Sequence, residues 1–144
     1  MTLYEKMNEY LANQQVMYIK LHNLHWYVKG YGFFTLHSKL EDLYNQTASV
    51  MDEIAERMLA LGQSPVGSMK KALALTAVKE LEDQPISSVD AAKKLLTDVE
   101  YWVHDTKQVV SLAEEADDAA TADQFNGYLS EYQKLQWMLQ SYLD

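Results

Sequence analysis

Five side chains with metal-binding chemistry recur in the first half of the chain at spacings that match turns of a helix. They are His25, His37, Glu41, Asp52 and Glu56. With His37 taken as zero on a helix that turns about 100° per residue, Glu41 lies at about 40°. Asp52 and Glu56 follow at about 60° and about 100°, so these four residues share one helix face. The steps from His37 to Glu41 and from Asp52 to Glu56 are each four residues, which lets two side chains approach a common ion.

The helix that carries these residues is too long for one chain to bring them all together. Glu41 and Asp52 are eleven residues apart, which places them roughly 16 Å apart along the axis, against metal–ligand distances of roughly 2 Å. The two halves meet if two copies of the helix pack antiparallel across a two-fold axis near residues 46 and 47. The histidine-containing pair of one chain then faces Asp52 and Glu56 of the other. The spacing therefore predicts a metal site shared by two chains.

His25 completes the predicted site, because the short loop after the first helix brings it towards His37. Each site then holds two imidazoles and three carboxylates, and symmetry makes two sites per dimer. Nitrogen and oxygen ligands without sulfur suit Fe(II), Mn(II) or Zn. The alternative is that these residues only decorate a solvated helix face. Trp26, beside His25 in the sequence, is either an electron donor next to the site or an anchor at an interface.

The composition excludes several other classes of protein. The 144 residues include no Cys, which removes disulfides, thiolate zinc sites, iron–sulfur clusters and a Cys nucleophile. Twelve basic residues against 21 acidic residues give a net charge of −9, so a phosphate-binding surface is disfavoured. The first twenty residues contain Glu5 and Glu9, and no apolar run approaches the roughly 20 residues that cross a bilayer. We therefore expect a soluble cytoplasmic protein that does not enter a membrane.

Apolar periodicity and end signals predict two long helices in the first half of the chain. The first covers about residues 2–28 and begins with a capping box of Thr2 and Glu5. Its predicted buried stripe is Met7, Tyr10, Gln14, Met17, Leu21, Leu24 and Val28. The second is expected to begin at a Thr35 cap and to stop at Gly62. Its predicted buried stripe is Leu36, Leu40, Leu43, Thr47, Val50, Ile54, Met58 and Leu61.

The second half predicts two more long helices after a long connection. Both prolines fall within residues 63–87, a connection in which Met69 to Leu81 has the composition of a short helix. A third long helix is expected over about 88–116, and a fourth begins with a capping box of Thr121 and Gln124. The predicted stripe of the third helix is Leu96, Val99, Val103, Val110 and Ala113. No segment shows the pattern of a strand.

Four long helices with one long central connection predict an all-α fold. The short first and last loops and the long middle link match a four-helix bundle of the ferritin-like type, with an extra short helix possible in the crossover. No internal repeat or composition break divides the chain, so residues 1–144 are expected to form a single domain. Topology alone does not give a function.

The segment from His25 to Pro65 closely resembles the Dps family, the small ferritin-like proteins of starved bacterial cells. The resemblance lies in His25-Trp26, a Lys-Gly pair, an F-x-x-x-H turn ending at His37, and the sequences D-E-x-A-E-R and L-G. It implies a ferroxidase centre of His25, His37 and Glu41 from one subunit with Asp52 and Glu56 from its two-fold mate. The family usually has Asp where this chain has Glu41, a difference that could alter occupancy by a second iron.

The resemblance also implies an activity and an assembly. Twelve subunits would form a hollow shell that oxidises Fe(II), with hydrogen peroxide as the preferred oxidant, and stores Fe(III) as mineral against oxidative stress. Up to two irons would occupy each site, and other divalent metals can substitute. Paired electron transfer to peroxide would limit the release of hydroxyl radicals.

An acid-rich stretch lies around the junction of the third and fourth helices. It contains Glu114, Glu115, Asp117, Asp118 and Asp123 and no basic residue. The resemblance implies that acids near this point, Asp117, Asp118 and Asp123, line pores on the three-fold axes and attract Fe(II). Asp117 and Asp118 would also face the negative end of a helix dipole, which suggests a use other than helix stability. The alternative is a solvated acidic loop.

The sequence leaves open the roles of the other histidines and of the tyrosines of the fourth helix. His22 lies one turn before His25 and is a candidate supporting group, whereas His104 and the tyrosines of the fourth helix are expected to pack.

Two other functions compete with the ferroxidase, namely a DNA-compacting protein and a helical scaffold with a vestigial metal site. The chain opens Met1-Thr2-Leu3-Tyr4-Glu5 and closes Leu143-Asp144, without the Lys-rich tails that would favour DNA binding. The sequence therefore disfavours DNA as a partner.

Overall fold

The computed structural model describes residues 1–144 and contains five helices and two very short strands. In chain order they are α1 (Leu3–Tyr27), β1 (Val28–Lys29), α2 (Phe33–Ala60), α3 (Met69–Leu75), β2 (Ile86–Ser87), α4 (Ser88–Glu115) and α5 (Ala119–Leu143). The four long helices lie where the sequence predicts them, to within a few residues. None of the helices is long and apolar enough to cross a membrane.

The chain forms two compact units. One consists of Met7–Ala91 and contains most of α1 together with β1, α2, α3 and β2. The other consists of Met1–Lys6 with Ala92–Asp144 and contains most of α4 and all of α5. Every residue of the predicted metal site belongs to the first unit.

The predicted start and buried face of α1 are confirmed. The Thr2 amide donates to the Glu5 carboxylate over 2.8 Å, and the Glu5 amide donates to the Thr2 hydroxyl over 3.2 Å. These two bonds satisfy amides that have no partner within the helix. Every member of the predicted stripe is at most 2% exposed, including the polar Gln14.

The buried stripe of α2 is confirmed from Leu36 to Met58, but the predicted start of this helix at Thr35 is wrong. The helix begins at Phe33, and its cap is Gly32, which makes no side-chain hydrogen bond. Gly32 has φ 82°, a left-handed conformation that glycine adopts at little cost. The turn therefore depends on glycine geometry rather than on a capping hydroxyl.

Gly62 ends α2 as predicted. It has φ 75°, and its amide donates to the Leu59 carbonyl over 3.0 Å. The next amide, of Gln63, reaches back to the Met58 carbonyl over 2.8 Å. This pair of bonds is the Schellman motif, in which a left-handed residue after the helix satisfies carbonyls of its last turn.

The short helix expected within Met69 to Leu81 is confirmed as α3. Ser68 caps α3 by accepting a bond from the Lys71 amide. The helix ends at Leu75. The next residue, Thr76, is extended, and its hydroxyl donates to the Asn13 side chain over 2.8 Å while accepting from the Val78 amide over 3.0 Å. These bonds replace the backbone bonds of a continuing helix.

Amide side chains on α1 tie the long connection to this helix. Asn8 donates to the Ser64 carbonyl and accepts from the Val66 amide. Asn13, which is fully buried, accepts from the Thr76 hydroxyl and from the Ala77 amide, both over 2.8 Å. Polar residues on α1 thus satisfy backbone groups of the parts of the connection that lie outside α3.

The expectation that the chain contains no strand is wrong at one point. β1 and β2 pair in parallel, with Val28 opposite Ile86 and Lys29 opposite Ser87. The Ser88 hydroxyl, just after β2, donates to the Tyr31 carbonyl. Strands of two residues are too short to produce an alternating pattern, so the sequence carries no signal for this pairing.

The predicted buried stripe of α4 is displaced by one residue along part of the helix. Leu95, Trp102 and Val109 are at most 2% exposed, whereas Leu96, Val103 and Val110, which were expected to be buried, are only partly buried. Both sets are apolar and repeat every seven residues, so periodicity does not distinguish them. Burial of the large Trp102 indole selects the face that the tertiary structure uses.

Two packing predictions in the second unit have different outcomes. Tyr128 and Tyr132 of α5 are buried as predicted, at 9% and 5% exposed, whereas Tyr142, also expected in the buried stripe of this helix, is 37% exposed. His104 is exposed, with its Nε2 atom 3.1 Å from the Gln108 amide nitrogen. The packing expected for His104 is therefore not found within the chain.

The corner between α4 and α5 corrects the predicted Thr121–Gln124 capping box. Asp118 is the cap of α5, because its carboxylate accepts from the Thr121 amide over 3.0 Å and from the Thr121 hydroxyl over 2.6 Å. Asp117 has φ 55° and occupies the left-handed position after α4. The Asp118 carboxylate thus lies at the positive end of the α5 dipole, which stabilises it. This offsets the unfavourable position at the negative end of α4 that the sequence suggested for Asp118.

We predict that Asn13→Ala lowers the free energy of unfolding by about 1 kcal/mol, because it leaves the partly buried bonds from the Ala77 amide and the Thr76 hydroxyl without their acceptor. Denaturant unfolding at a fixed protein concentration measures this loss. Asn23→Ala is the matched control, since Asn23 also bonds to the connection, at Glu82 and Asp83, but in an exposed position. Equal losses in the two variants would contradict the role given to Asn13.

Candidate metal centre

Two histidines join the end of α1 to the first turns of α2. The ring Nδ1 of His25 lies 2.7 Å from the His37 carbonyl oxygen, and the ring Nδ1 of His37 lies 2.7 Å from the His25 carbonyl oxygen. The two rings stack with centroids 3.7 Å apart and an angle of 13° between their planes. The arrangement is reciprocal, so each histidine holds the backbone and the ring of the other.

These hydrogen bonds determine which nitrogen of each ring is available to a metal. A carbonyl oxygen only accepts, so both Nδ1 atoms must carry the proton. In a neutral imidazole the Nε2 atom then has a free lone pair, which is the form that binds a metal. A ligating histidine that donates its other nitrogen to a carbonyl is a common arrangement in metal sites. The Nε2 atoms of His25 and His37 are therefore both available to bind a metal.

Glu41 brings a carboxylate to this histidine pair. Its Oε1 atom lies 3.9 Å from Nε2 of His25. The His25 side chain is 7% exposed, whereas the Glu41 side chain is 55% exposed. The cluster thus has a buried imidazole base and a carboxylate that opens towards the surface of the chain.

Asp52 and Glu56 do not join this cluster within one chain. Both are exposed residues of α2, and Asp52 is eleven residues beyond Glu41, or roughly 16 Å along the helix axis. No group of three or more His, Cys, Asp or Glu in the chain has the geometry to hold a metal ion. The structure therefore places His25 against His37 and 3.9 Å from Glu41, does not complete a metal site within one chain, and leaves the other two carboxylates apart.

Trp26 lies on the outer surface of the chain beside the histidines. Its side chain is 67% exposed, and its ring centroid is 5.4 Å from that of His22. His22 in turn places its Nδ1 atom 2.7 Å from the Tyr18 carbonyl. The exposure of Trp26 is compatible with both of the roles considered from the sequence.

Two aromatic residues beside the histidines were not predicted from the sequence as part of the site. Phe33 stacks on His37 with centroids 4.8 Å apart. Tyr44 packs its ring edge against His25 at 5.3 Å and its face against His22 at 3.8 Å. Burial, followed by the charge of Glu41 and a hydrogen bond with it, raises the pKa of the Tyr44 phenol. The signal for Tyr44 was present, because it lies three residues after Glu41 on the same helix face.

The acid-rich stretch is far along the chain from the histidine cluster and belongs to the second unit. Asp117 and Asp123 are exposed, and Asp118 is half-buried at the start of α5. Glu114 and Glu115 are exposed residues in the last turn of α4. Asp117 and Asp118 lie at the corner, and Asp123 lies in the first turns of α5. The negative charge is therefore concentrated at this end of the two helices.

Comparison with known proteins gives one consistent family. The sequence model of the ferritin-like domain matches residues 4–144. General stress protein 20U of Bacillus subtilis is 40% identical over 141 residues, which cover 98% of this chain and 97% of the relative. DNA protection during starvation protein 2 of Bacillus anthracis is 39% identical and covers 97% and 95%.

Solved structures agree with the sequence relatives. A Dps protein from Bacillus brevis has a TM-score of 0.95 with 36% identity, covering 99% of this chain and 95% of that structure. A Listeria innocua Dps soaked with zinc has a TM-score of 0.94 with 33% identity, covering 98% and 95%. The chain belongs to the ferritin-like proteins and, within them, to the Dps family. The all-α ferritin-like fold and the family resemblance predicted from the sequence are both confirmed.

We predict that a crystal soaked with Zn(II) will show the metal bound to Nε2 of His25 or His37, at about 2.0–2.1 Å. The Nδ1 atoms should keep their bonds to the two carbonyl oxygens, because those bonds determine the ring orientation. The electron density around each ring, together with anomalous scattering from zinc, makes the measurement. Zinc bound through Nδ1, with the rings rotated away from the carbonyls, would contradict this assignment.

Proposed function

We propose that this protein is a ferroxidase and iron-storage protein that forms a hollow homo-oligomer. Its substrates are Fe(II) and hydrogen peroxide, and its product is an Fe(III) mineral retained inside the shell. By analogy with the family, we infer twelve subunits with catalytic sites at the two-fold interfaces. Protection against oxidative stress follows, because the reaction removes both Fe(II) and peroxide.

The reciprocal His25–His37 pair is the observation that supports this proposal most strongly. Both Nε2 atoms have free lone pairs, and that of His25 lies 3.9 Å from the Glu41 carboxylate, which offers nitrogen and oxygen ligands suited to Fe(II). The same bonds also hold the ends of α1 and α2 together, so a scaffold with a vestigial site would keep them too, and metal binding is what distinguishes the two functions.

The proposed reaction balances with two irons per peroxide. Each Fe(II) gives up one electron, the two electrons break the O–O bond of one peroxide molecule, and two protons complete two molecules of water. Because both electrons go to the same peroxide, no one-electron product escapes as hydroxyl radical. His25, His37, Glu41, Asp52 and Glu56 would hold the two irons, and Trp26 would supply an electron when only one iron is present.

The helix geometry requires that each site be shared by two chains if Asp52 and Glu56 are ligands. Asp52 lies fifteen residues beyond His37, or roughly 22 Å along the axis of α2. Antiparallel packing of two α2 helices would bring the acids of one chain to the histidines of the other. One chain then supplies the imidazoles and Glu41, and its partner supplies the remaining carboxylates.

We predict that two inactive variants regain activity when they assemble together. One carries His25→Asn and His37→Asn, in which the amide can keep the bond made by Nδ1 but Nε2 is lost. The other carries Asp52→Asn and Glu56→Gln. Random mixing of equal amounts should restore about one quarter of the unchanged protein's sites, because half of the dimers contain one complete site. Stopped-flow oxidation of Fe(II) by peroxide measures the recovery.

Two controls make this mixing experiment decisive. Each variant alone must assemble normally and remain nearly inactive, and distinguishable tags must show mixed dimers. Mixed shells that stay inactive would exclude a site shared between chains. A shift of duplex DNA that weakens steeply with salt, without any iron oxidation, would instead favour the DNA-binding alternative.

We further propose that the acid-rich stretch attracts Fe(II) towards pores in the shell. The exposure of Asp117 and Asp123, in a stretch that contains no basic residue, supports this role. Asp118 also caps α5, so any test must keep this cap.

We predict that changing Asp117, Asp118 and Asp123 together to Asn slows iron uptake several-fold at low ionic strength, through loss of electrostatic focusing. Asn caps helices about as well as Asp, so the fold should be retained. Uptake is measured by mineral absorbance, with Glu82→Gln as a control that removes charge from the connection. An unchanged uptake rate in the triple variant would favour the alternative that these residues only form a solvated acidic loop.

A further inference from the structure

The turn between α1 and α2 has a glycine on each side of Tyr31. Gly30 has φ 97° and Gly32 has φ 82°, conformations that glycine adopts at little cost. The Tyr31 side chain is 99% exposed, so it adds no packing to the turn. Because glycine adopts negative φ about as readily, the peptide between Tyr31 and Gly32 meets little steric resistance to rotation. The turn therefore owes its single conformation to hydrogen bonds.

Ser88, the first residue of α4, makes one of these bonds from outside the turn. It is buried, and its hydroxyl donates to the Tyr31 carbonyl oxygen. This carbonyl belongs to the peptide that precedes Gly32, the N-cap of α2. The bond fixes the orientation of the peptide from which α2 starts, while the pairing of β1 with β2 holds the residues before the turn.

The start of α2 determines where His37 lies. The Gly32 carbonyl accepts from the Leu36 amide over 3.0 Å, and Leu36 directly precedes His37. A rotation of the peptide before Gly32 changes the direction in which the helix leaves the turn. It therefore moves both the ring and the carbonyl of His37, and each of these makes a bond of 2.7 Å with His25. A displacement at the turn is passed to both histidines.

We propose that Ser88 is a positioning residue of the candidate metal centre. Its hydroxyl holds the Tyr31 carbonyl, which fixes the start of α2 and so the placement of the His25 and His37 rings. The proposal deepens the ferroxidase function and rests on it, because it assumes that both rings bind metal. Ser88 itself does not touch the metal. A residue that follows the long connection thus helps to define a site between α1 and α2.

The preceding residue, Ser87, offers a matched control. Its hydroxyl accepts from the Asp90 amide over 3.1 Å, which is the bond of a helix N-cap. Ser87→Ala and Ser88→Ala remove the same oxygen from neighbouring positions. The first weakens the start of α4, whereas the second releases the Tyr31 carbonyl. Asn13→Ala is a second control, because it lowers stability in the same unit without changing a bond of the turn.

We predict that Ser88→Ala weakens Co(II) binding about fivefold, while both controls change it by less than about twofold. Removing a group bonded directly to a metal ligand costs about tenfold or more, and the smaller loss is expected because Ser88 acts through the backbone. Affinity is measured by anaerobic titration of the assembled protein, following the visible absorption of the bound ion.

Amide hydrogen exchange of the metal-free assembled protein gives the second readout for the same variants. Ser88→Ala should speed exchange several-fold over residues 30–36, because the bonds of the Phe33 and Leu36 amides open more often. Ser87→Ala should instead speed exchange around Asp90 and leave residues 30–36 unchanged. Mass spectrometry of proteolytic fragments locates the change. Unchanged exchange over residues 30–36 in Ser88→Ala would overturn the proposal, whatever the metal chemistry.

The two readouts separate the role of Ser88 from the function on which it rests. An equal loss of Co(II) affinity in Ser88→Ala and in either control would assign Ser88 to general stability. An unchanged affinity in Ser88→Ala would remove it from the site. Each of these results overturns the proposal while the ferroxidase stands. If the unchanged protein binds no Co(II) and oxidises no Fe(II), the proposed function fails and the positioning role fails with it, even where exchange shows that Ser88 holds the turn.

Discussion

Two hydrogen bonds connect the end of α1 to the start of α2, each running from the ring Nδ1 of one histidine to the backbone carbonyl of the other. They have three consequences at once: they hold the two helix ends together, they stack the two rings, and they leave both Nε2 atoms able to bind a metal. The glycine-capped turn and the short β1–β2 pair lie in the segment between and beside these helix ends. The geometry of the candidate metal site therefore depends on the backbone of these helix ends as well as on the ligand side chains.

The second constraint on the site is the length of α2. A straight helix of this length carries the histidine end and the Asp52–Glu56 end too far apart for one ion. The chain on its own holds three of the five proposed ligands at one end of this helix, which is the arrangement expected if symmetry provides the other two. A site shared in this way would couple catalysis to assembly, because an isolated subunit would have an incomplete ligand set.

Several local details could not be read from the sequence, for reasons that differ between elements. Thr35 and Thr121 both matched a capping pattern, but neither is the cap. The cap of α2 is Gly32, in a left-handed conformation, and the cap of α5 is Asp118, whose carboxylate accepts from the Thr121 amide. On α4 two apolar stripes of equal period competed, and only packing decided between them. The strands β1 and β2 are non-local pairs of two residues, and Asn13 acts on a segment more than sixty residues away. Local pattern reasoning does not detect contacts of this kind.

The sequence by itself determined the four long helices, the buried stripes of α1 and α2, the ferritin-like class and the set of candidate ligands. It could do so because helical periodicity and the axial rise per residue depend only on local order along the chain. The tertiary structure alone decided the tautomers of His25 and His37, the stacking of Tyr44 on His22, and the face on which α4 is buried. These depend on which groups from distant segments come within hydrogen-bond or packing distance, and that proximity is created only when the chain folds.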